Sequence, residues 1–165
     1  LYEWPFGVTL RQVIDAAGGV TGGRALQAVL LGGAAGVFVG PEALDQRLTF
    51  EDTRASGLTL GSGVVLVLDD TVDLTDLLGR LASFFADESC GQCVPCRVGT
   101  VRQQELLAQL RATGDATSRA TLLSVLGELG QAMRDASICG LGQTASSAVE
   151  SAVARLHVFR TEEMR

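Results

Sequence analysis

The chain has 165 residues, 47% of them hydrophobic and 5% aromatic, with twenty glycines and a net charge of −6. That length holds one ordinary domain or two small ones, and the acidic balance excludes a nucleic-acid binder, which needs a basic patch to neutralise phosphate. No basic stretch followed by an apolar run marks a signal peptide in "LYEWPFGVTL", and the most apolar stretch, "LQAVLLGGAAGVFVG", is too short and too glycine-broken to span a membrane.

With no initiator Met and a strand-like opening, the sequence reads as a piece of something longer. Thr9 and Gln12 have the spacing of a capping box. Leu10, Val13, Ile14 and Ala17 then follow helical spacing up to the Gly18-Gly19 stop. "ALQAVLL" (25–31) and "GVFVG" (36–40) predict short strands, "PEALD" a helical turn and "LTFED" a further short strand. "GVVLVLDD" (63–70) is β-branched and nearly all apolar, which predicts a strand central in its sheet.

After Asp70 the period lengthens. Leu74, Leu77, Leu78, Leu81, Phe84 and Phe85 make one helical stripe. A second helix carries Val98, Val101, Leu106, Leu107 and Leu110, and a third (118–134) carries Leu122, Leu126, Leu129 and Met133. A fourth (143–160) carries Ala145, Ala148, Val149, Ala152, Val153 and Leu156. Four amphipathic helices with short connections predict a bundle, and the junction near Thr71 a domain boundary.

Within "ESCGQCVPCRVGT" three cysteines, Cys90, Cys93 and Cys96, stand at intervals of three, and Cys139 follows in "SICGLG". Such spacing suits thiolates converging on one metal centre in a reducing compartment better than two disulfides. A cubane 4Fe–4S cluster needs one thiolate at each of four iron corners, so three local ligands and one remote ligand answer it. Zinc more often takes separated C-x-x-C pairs; a structural zinc module that pins the helices is the alternative.

The neighbours agree with a cluster. Gly91, Gly140 and Gly142 could turn N–H groups toward sulfur, Pro95 could stiffen the loop, and Arg97 could offset the negative charge of the centre. For each there is a plainer reading, as a turn residue or a surface cation. Placing Cys96 near a helix start would aim the positive end of that helix at the site.

His157, the sole histidine, reads as a packed or helix-terminal residue rather than a ligand. Asp69-Asp70 and Glu162-Glu163 are adjacent in sequence and read as solvated charge. No nucleophile, general base or G-x-G-x-x-G nucleotide loop emerges, so no catalytic residue is assigned. A ligand-binding role for residues 1–70 would require a concave polar site.

At "ESCGQCVPCRVGT" and "SICGLGQTA" the sequence closely resembles the flavoprotein subunit of respiratory complex I (NADH–quinone oxidoreductase). It also resembles the diaphorase subunits of NAD-linked hydrogenases and formate dehydrogenases. "FGVTLRQVIDAAGG" and "GSGVVLVLDD" are similar to that family's soluble-ligand-binding β-grasp domain. The resemblance implies an α+β chain: a small ubiquitin-like β-grasp domain over 1–70, its opening strand lying upstream, and an all-α four-helix cluster-binding domain over 71–165.

It implies Cys90, Cys93, Cys96 and Cys139 as 4Fe–4S ligands, with FMN and NAD(H) bound only by an N-terminal domain of the full-length parent. This piece alone is then expected to be inactive toward NADH. The implied role is single-electron relay between FMN and the next iron–sulfur centre. The implied partners are the FMN/NADH domain, a thioredoxin-like 2Fe–2S subunit and a further iron–sulfur subunit. No nucleic acid or membrane insertion is implied, and the setting is cytoplasmic, on the inner face of the cytoplasmic membrane as part of a complex. "LHVFR" departs from the family's "HFR", which further weakens any role for His157.

Overall fold

The computed structural model describes residues 1–159. The chain forms two compact units, the first Leu1–Val72 and the second beginning at Asp73. It is a mixed α/β protein with one small three-stranded sheet and several helices. Among the described residues no helix is long and apolar enough to cross a membrane.

The first unit opens without a strand; helix α1 (Leu10–Ala16) follows directly on its cap. Thr9 accepts from the Gln12 N–H at 3.2 Å, and the Gln12 side chain accepts from the Thr9 N–H at 2.8 Å. This reciprocal pair satisfies two donors that a helix start leaves open. Strands β1 (Leu26–Leu31), β2 (Val37–Val39) and β3 (Val65–Asp69) make an antiparallel sheet in the order β2-β1-β3. Val29 pairs with Val39 on one side and Val67 on the other. Leu10, Ile14, Val29, Leu31, Val39 and Leu58 form the core of the unit.

Two expectations fail here. The 63–70 run is an edge strand, not a central one: β1 holds the middle, and Leu66 is 41% exposed. Apolar composition reports a preference for pairing, whereas position in the sheet depends on where the partners lie. "LTFED" contributes to a helix, α2 (Phe50–Ala55). Thr49 caps it, accepting from the Asp52 N–H at 2.9 Å, and Glu51 and Asp52 sit in the first turn where the helix dipole favours negative charge.

The second unit contains α3 (Leu74–Glu88), α4 (Val94–Ala112), α5 (Ala116–Ala136), α6 (Gly140–Thr144) and α7 (Ser147–Arg155). Asp73 caps α3 and Asp115 caps α5. Helix α4 packs on α3, α5 and α6. Its buried face is Cys96, Gly99, Thr100, Gln103, Leu106, Leu107 and Leu110, whereas Val98 and Val101, expected in the core, are 47% and 45% exposed.

The single fourth helix expected over 143–160 is two helices, α6 and α7, broken at Ala145-Ser146. At the break the Gln103 amide donates to the Ala145 carbonyl at 3.1 Å. Phe84, also expected in the core, is 47% exposed, while Leu78 and Phe85 are buried.

Candidate metal centre

The four cysteines belong to the second unit, and none is in a disulfide. Cys90 lies in the turn after α3. Cys93 is the N-cap of α4 and Cys96 its third residue, with Pro95 inside the first turn rather than in a loop. Cys139 is the N-cap of α6. Proline suits this early position, where its missing N–H would be an unpaired donor anyway. The positive end of a 19-residue helix therefore faces the cysteine segment.

Two contacts join the local trio to the remote segment. The Ile138 N–H is the largest influence holding the Cys93 thiol below its ordinary pKa. The Cys96 N–H, the Ser137 hydroxyl and the N–H of Cys93 itself add to it, against an opposing push from burial. Gly142 backs onto Cys96: a Cβ there would stand 2.8 Å from Cys96 Cβ and would also collide with the Ser137 side chain. Only glycine leaves room for this approach. Gln143 fixes the bend by donating to the Ser137 carbonyl at 3.0 Å.

Around Cys90 the chain turns through Gly91, whose φ of 73° is readily adopted by glycine. The Gly91 N–H points to Ser89 Oγ at 3.4 Å, not to a sulfur as anticipated, and Ser89 Oγ in turn lies 3.3 Å from Cys96 Sγ. Cys96 is buried, Cys93 half-buried, and Cys90 and Cys139 exposed. Arg97 is exposed, with its Cδ over Gly91, and among the described residues no carboxylate pairs with it.

Among the described residues no group of three or more His, Cys, Asp and Glu side chains forms a ready cage for a metal ion.

His157 lies beyond α7, exposed and in a left-handed conformation, not packed. Asp69 is held below the ordinary carboxylate range by the Thr71 hydroxyl and N–H, and pairs with Arg24 at 3.8 Å. Glu162 and Glu163 lie outside the described residues.

Concave surfaces occur elsewhere in both units. A hollow of about 570 Å³ between the end of α4 and the start of α5 is lined by Gln109, Thr113, Thr117, Ser118 and Leu122, with no titratable group. One of about 160 Å³ in the first unit is walled by Trp4, Phe6, Val13, Leu31 and Val65, and does not supply the polar site that a soluble ligand would require there.

The residues that spacing did not single out are Ser89, Ser137 and Gln103. The serines are visible in "ESC" and "SIC", each within two residues of a cysteine; Gln103 has no local signal.

Cys93 and Cys139 at helix N-caps and Cys96 in the first turn of α4, with the Cys93 thiol held below its ordinary pKa, point to the class of a metal- or cluster-binding helical module. The chain belongs to the family of the NADH-ubiquinone oxidoreductase-F iron-sulfur binding region, whose profile it matches over residues 76–162. It is 37% identical over 145 residues to the NADP-reducing hydrogenase subunit HndC of Solidesulfovibrio fructosivorans, covering 87% of this chain and 29% of that one. It is 35% identical over 161 residues to the F subunit of NADH-quinone oxidoreductase from Streptomyces coelicolor, covering 98% of this chain and 34% of that one.

Among solved structures, an NAD+-reducing NiFe hydrogenase in the H2-reduced state matches with a TM-score of 0.80 at 33% identity. That match covers 96% of this chain and 26% of the other. The chain thus spans about a third of the length of these curated relatives.

Proposed function

We propose that this chain holds a 4Fe–4S cluster through Cys90, Cys93, Cys96 and Cys139 and relays single electrons between FMN and the next iron–sulfur centre of an NADH-oxidising or NAD-reducing complex. The observation that carries the reading is the meeting of the Cys93–Cys96 turn with the Ser137–Gly142 segment, through Ile138 and Gly142. When bound, such a cluster supplies storage for one electron at a time, so that a flavin reduced by two electrons is emptied in two single-electron steps.

The residues present fit such a group on three counts. Four thiols match the donor set that it requires. Ile138 and Cys96 turn backbone N–H groups to the Cys93 sulfur. Ser137, 6% exposed, carries a hydroxyl with no hydrogen bond of ordinary geometry among the described residues. The start of α4 offsets anionic charge, and Arg97, stretched over Gly91 with no carboxylate partner among the described residues, supports the charge-offsetting reading over the surface-pair one.

The first unit, with its helix, turns and three-stranded sheet, is read as the β-grasp domain (1–70). The second is read as the four-helix cluster domain (71–165), with the fourth helix interrupted. The similarity to NADH-quinone oxidoreductase and hydrogenase subunits supports as partners the FMN/NADH domain of the same parent, a thioredoxin-like 2Fe–2S subunit and a further iron–sulfur subunit. Val94 and Ile138, 59% and 73% exposed and each adjacent to a cysteine, offer apolar surface for such docking. A cytoplasmic setting fits unpaired, closely spaced thiols.

The test is an anaerobic reductive titration of the cluster-loaded chain. Uptake of one electron per chain, with a paramagnetic reduced state, is the expected result; uptake of none would end the relay reading.

A further inference from the structure

We propose that the hydroxyls of Ser89 and Ser137 are positioning groups that donate hydrogen bonds to the cluster-bound sulfurs of Cys96 and Cys93, raising the potential at which the centre accepts its electron. The inference rests on the ligand assignment above and goes beyond it in naming what tunes the site.

Ser89 Oγ stands 3.3 Å from Cys96 Sγ, and Cys96 is only 4% exposed. As a free thiol and hydroxyl, either group could donate. A thiolate bound to iron has no proton, so the hydroxyl must be the donor. The Gly91 N–H, 3.4 Å from the same oxygen, occupies one of its lone pairs and leaves its proton for the sulfur.

Ser137 presents the complementary case. Its side chain is buried, yet its Oγ has no hydrogen bond of ordinary geometry among the described residues. A buried hydroxyl without a partner is costly and calls for an explanation. Its surroundings supply one: it is wedged against Gly142, whose missing side chain makes its place. A Cβ there would collide with Ser137 Oγ and lie 2.8 Å from Cys96 Cβ, so the hydroxyl sits among the cysteines.

Hydrogen bonds to ligand sulfurs are among the terms that set the potential of an iron–sulfur centre. They withdraw charge from sulfur and so favour the reduced state, which carries one more negative charge. One serine precedes the local trio and the other precedes the remote ligand, and each serves a different sulfur.

The experiment is a potentiometric titration, followed by electron paramagnetic resonance, of the cluster-loaded chain and of Ser89→Ala, Ser137→Ala and the double variant. Iron and sulfide content is measured on the same samples. Each alanine variant should load as the parent does and titrate at lower potential. At the parent midpoint its oxidised-to-reduced ratio should rise about three- to tenfold, tenfold being about 59 mV for a one-electron couple. The double variant should shift further, and Ser89→Thr, which keeps the hydroxyl, should return to the parental value.

Loaded alanine variants with the parental midpoint would overturn the inference while leaving the ligand assignment standing. Loss of the cluster from both would overturn it as well, because the hydroxyls would then be holding the site together rather than tuning it. A parent that takes up no iron and sulfide would remove the ligand assignment and this inference together.

Discussion

The two units fill their interiors with different chemistry. In the first, the buried side chains are apolar: Leu10, Ile14, Val29, Leu31, Val39 and Leu58 form an aliphatic cluster, Phe38 is fully buried, and Thr53 is the buried polar residue. In the second, Thr100, Gln103, Ser137, Ser146 and Ser151 are buried beside Cys96, Leu107 and Met133. Burying a polar group is costly unless it is hydrogen-bonded. Polar burial therefore concentrates in the unit that has another use for it, and two of these groups, Gln103 and Ser137, touch the segment that brings in Cys139.

Truncation should separate the two interiors. Leu31→Ala removes a 1% exposed side chain from the aliphatic core and should cost about 2–5 kcal/mol in chemical denaturation. A much smaller loss would mean that this core is not close-packed. Gln103→Leu keeps volume but strips the Ala145 carbonyl of its donor, for an expected cost of about 1–3 kcal/mol. If the polar interior of the second unit were incidental, this apolar replacement would be neutral or stabilising, and the contrast between the units would collapse. Thr9→Ala removes the capping box of α1 and should cost about 1 kcal/mol, read as a shift in the denaturation midpoint.

Acid should act on both units alike. The Thr75 hydroxyl, the N–H groups of Asp76 and Thr75 and the charge of Arg111 hold Asp73 below its ordinary 3.8. The Thr71 hydroxyl and N–H do the same for Asp69 in the first unit. Because these folded-state values are lowered, the carboxylates contribute stability that is complete above the unfolded value and is lost as pH falls through the folded one. Thermal unfolding followed against pH should show the gap between the parent and Asp73→Asn narrowing below about pH 3.8. A gap that stays constant would show that the charge of Asp73 adds nothing.

What the sequence made legible was local. The Thr9–Gln12 box, the β1 and β2 runs and the cysteine spacing each depend on residues a few positions apart. What it hid depends on distant partners. The 63–70 strand reads as central because its residues are apolar, but β1 has both of its neighbours and β3 has one. Thr49 and Asp52 mark a helix start that the β-prone "LTF" disguises. The break between α6 and α7 coincides with a carbonyl taken by Gln103, 42 residues earlier in the chain. The apolar stripe of α4 misleads at Val98 and Val101 because small and polar residues, Gly99, Thr100 and Gln103, occupy its inner face. The cysteines are plain from spacing; their serine neighbours stand beside them in the sequence, but burial and distances are what single them out.

The most direct measurement is anaerobic analysis of iron, zinc and acid-labile sulfide in the reconstituted chain, alongside Cys139→Ala. The account predicts about four irons and four sulfides per chain in the parent, and loss or conversion of that centre in the variant. Zinc without sulfide in the parent, or an undiminished four-iron centre in the variant, would contradict it.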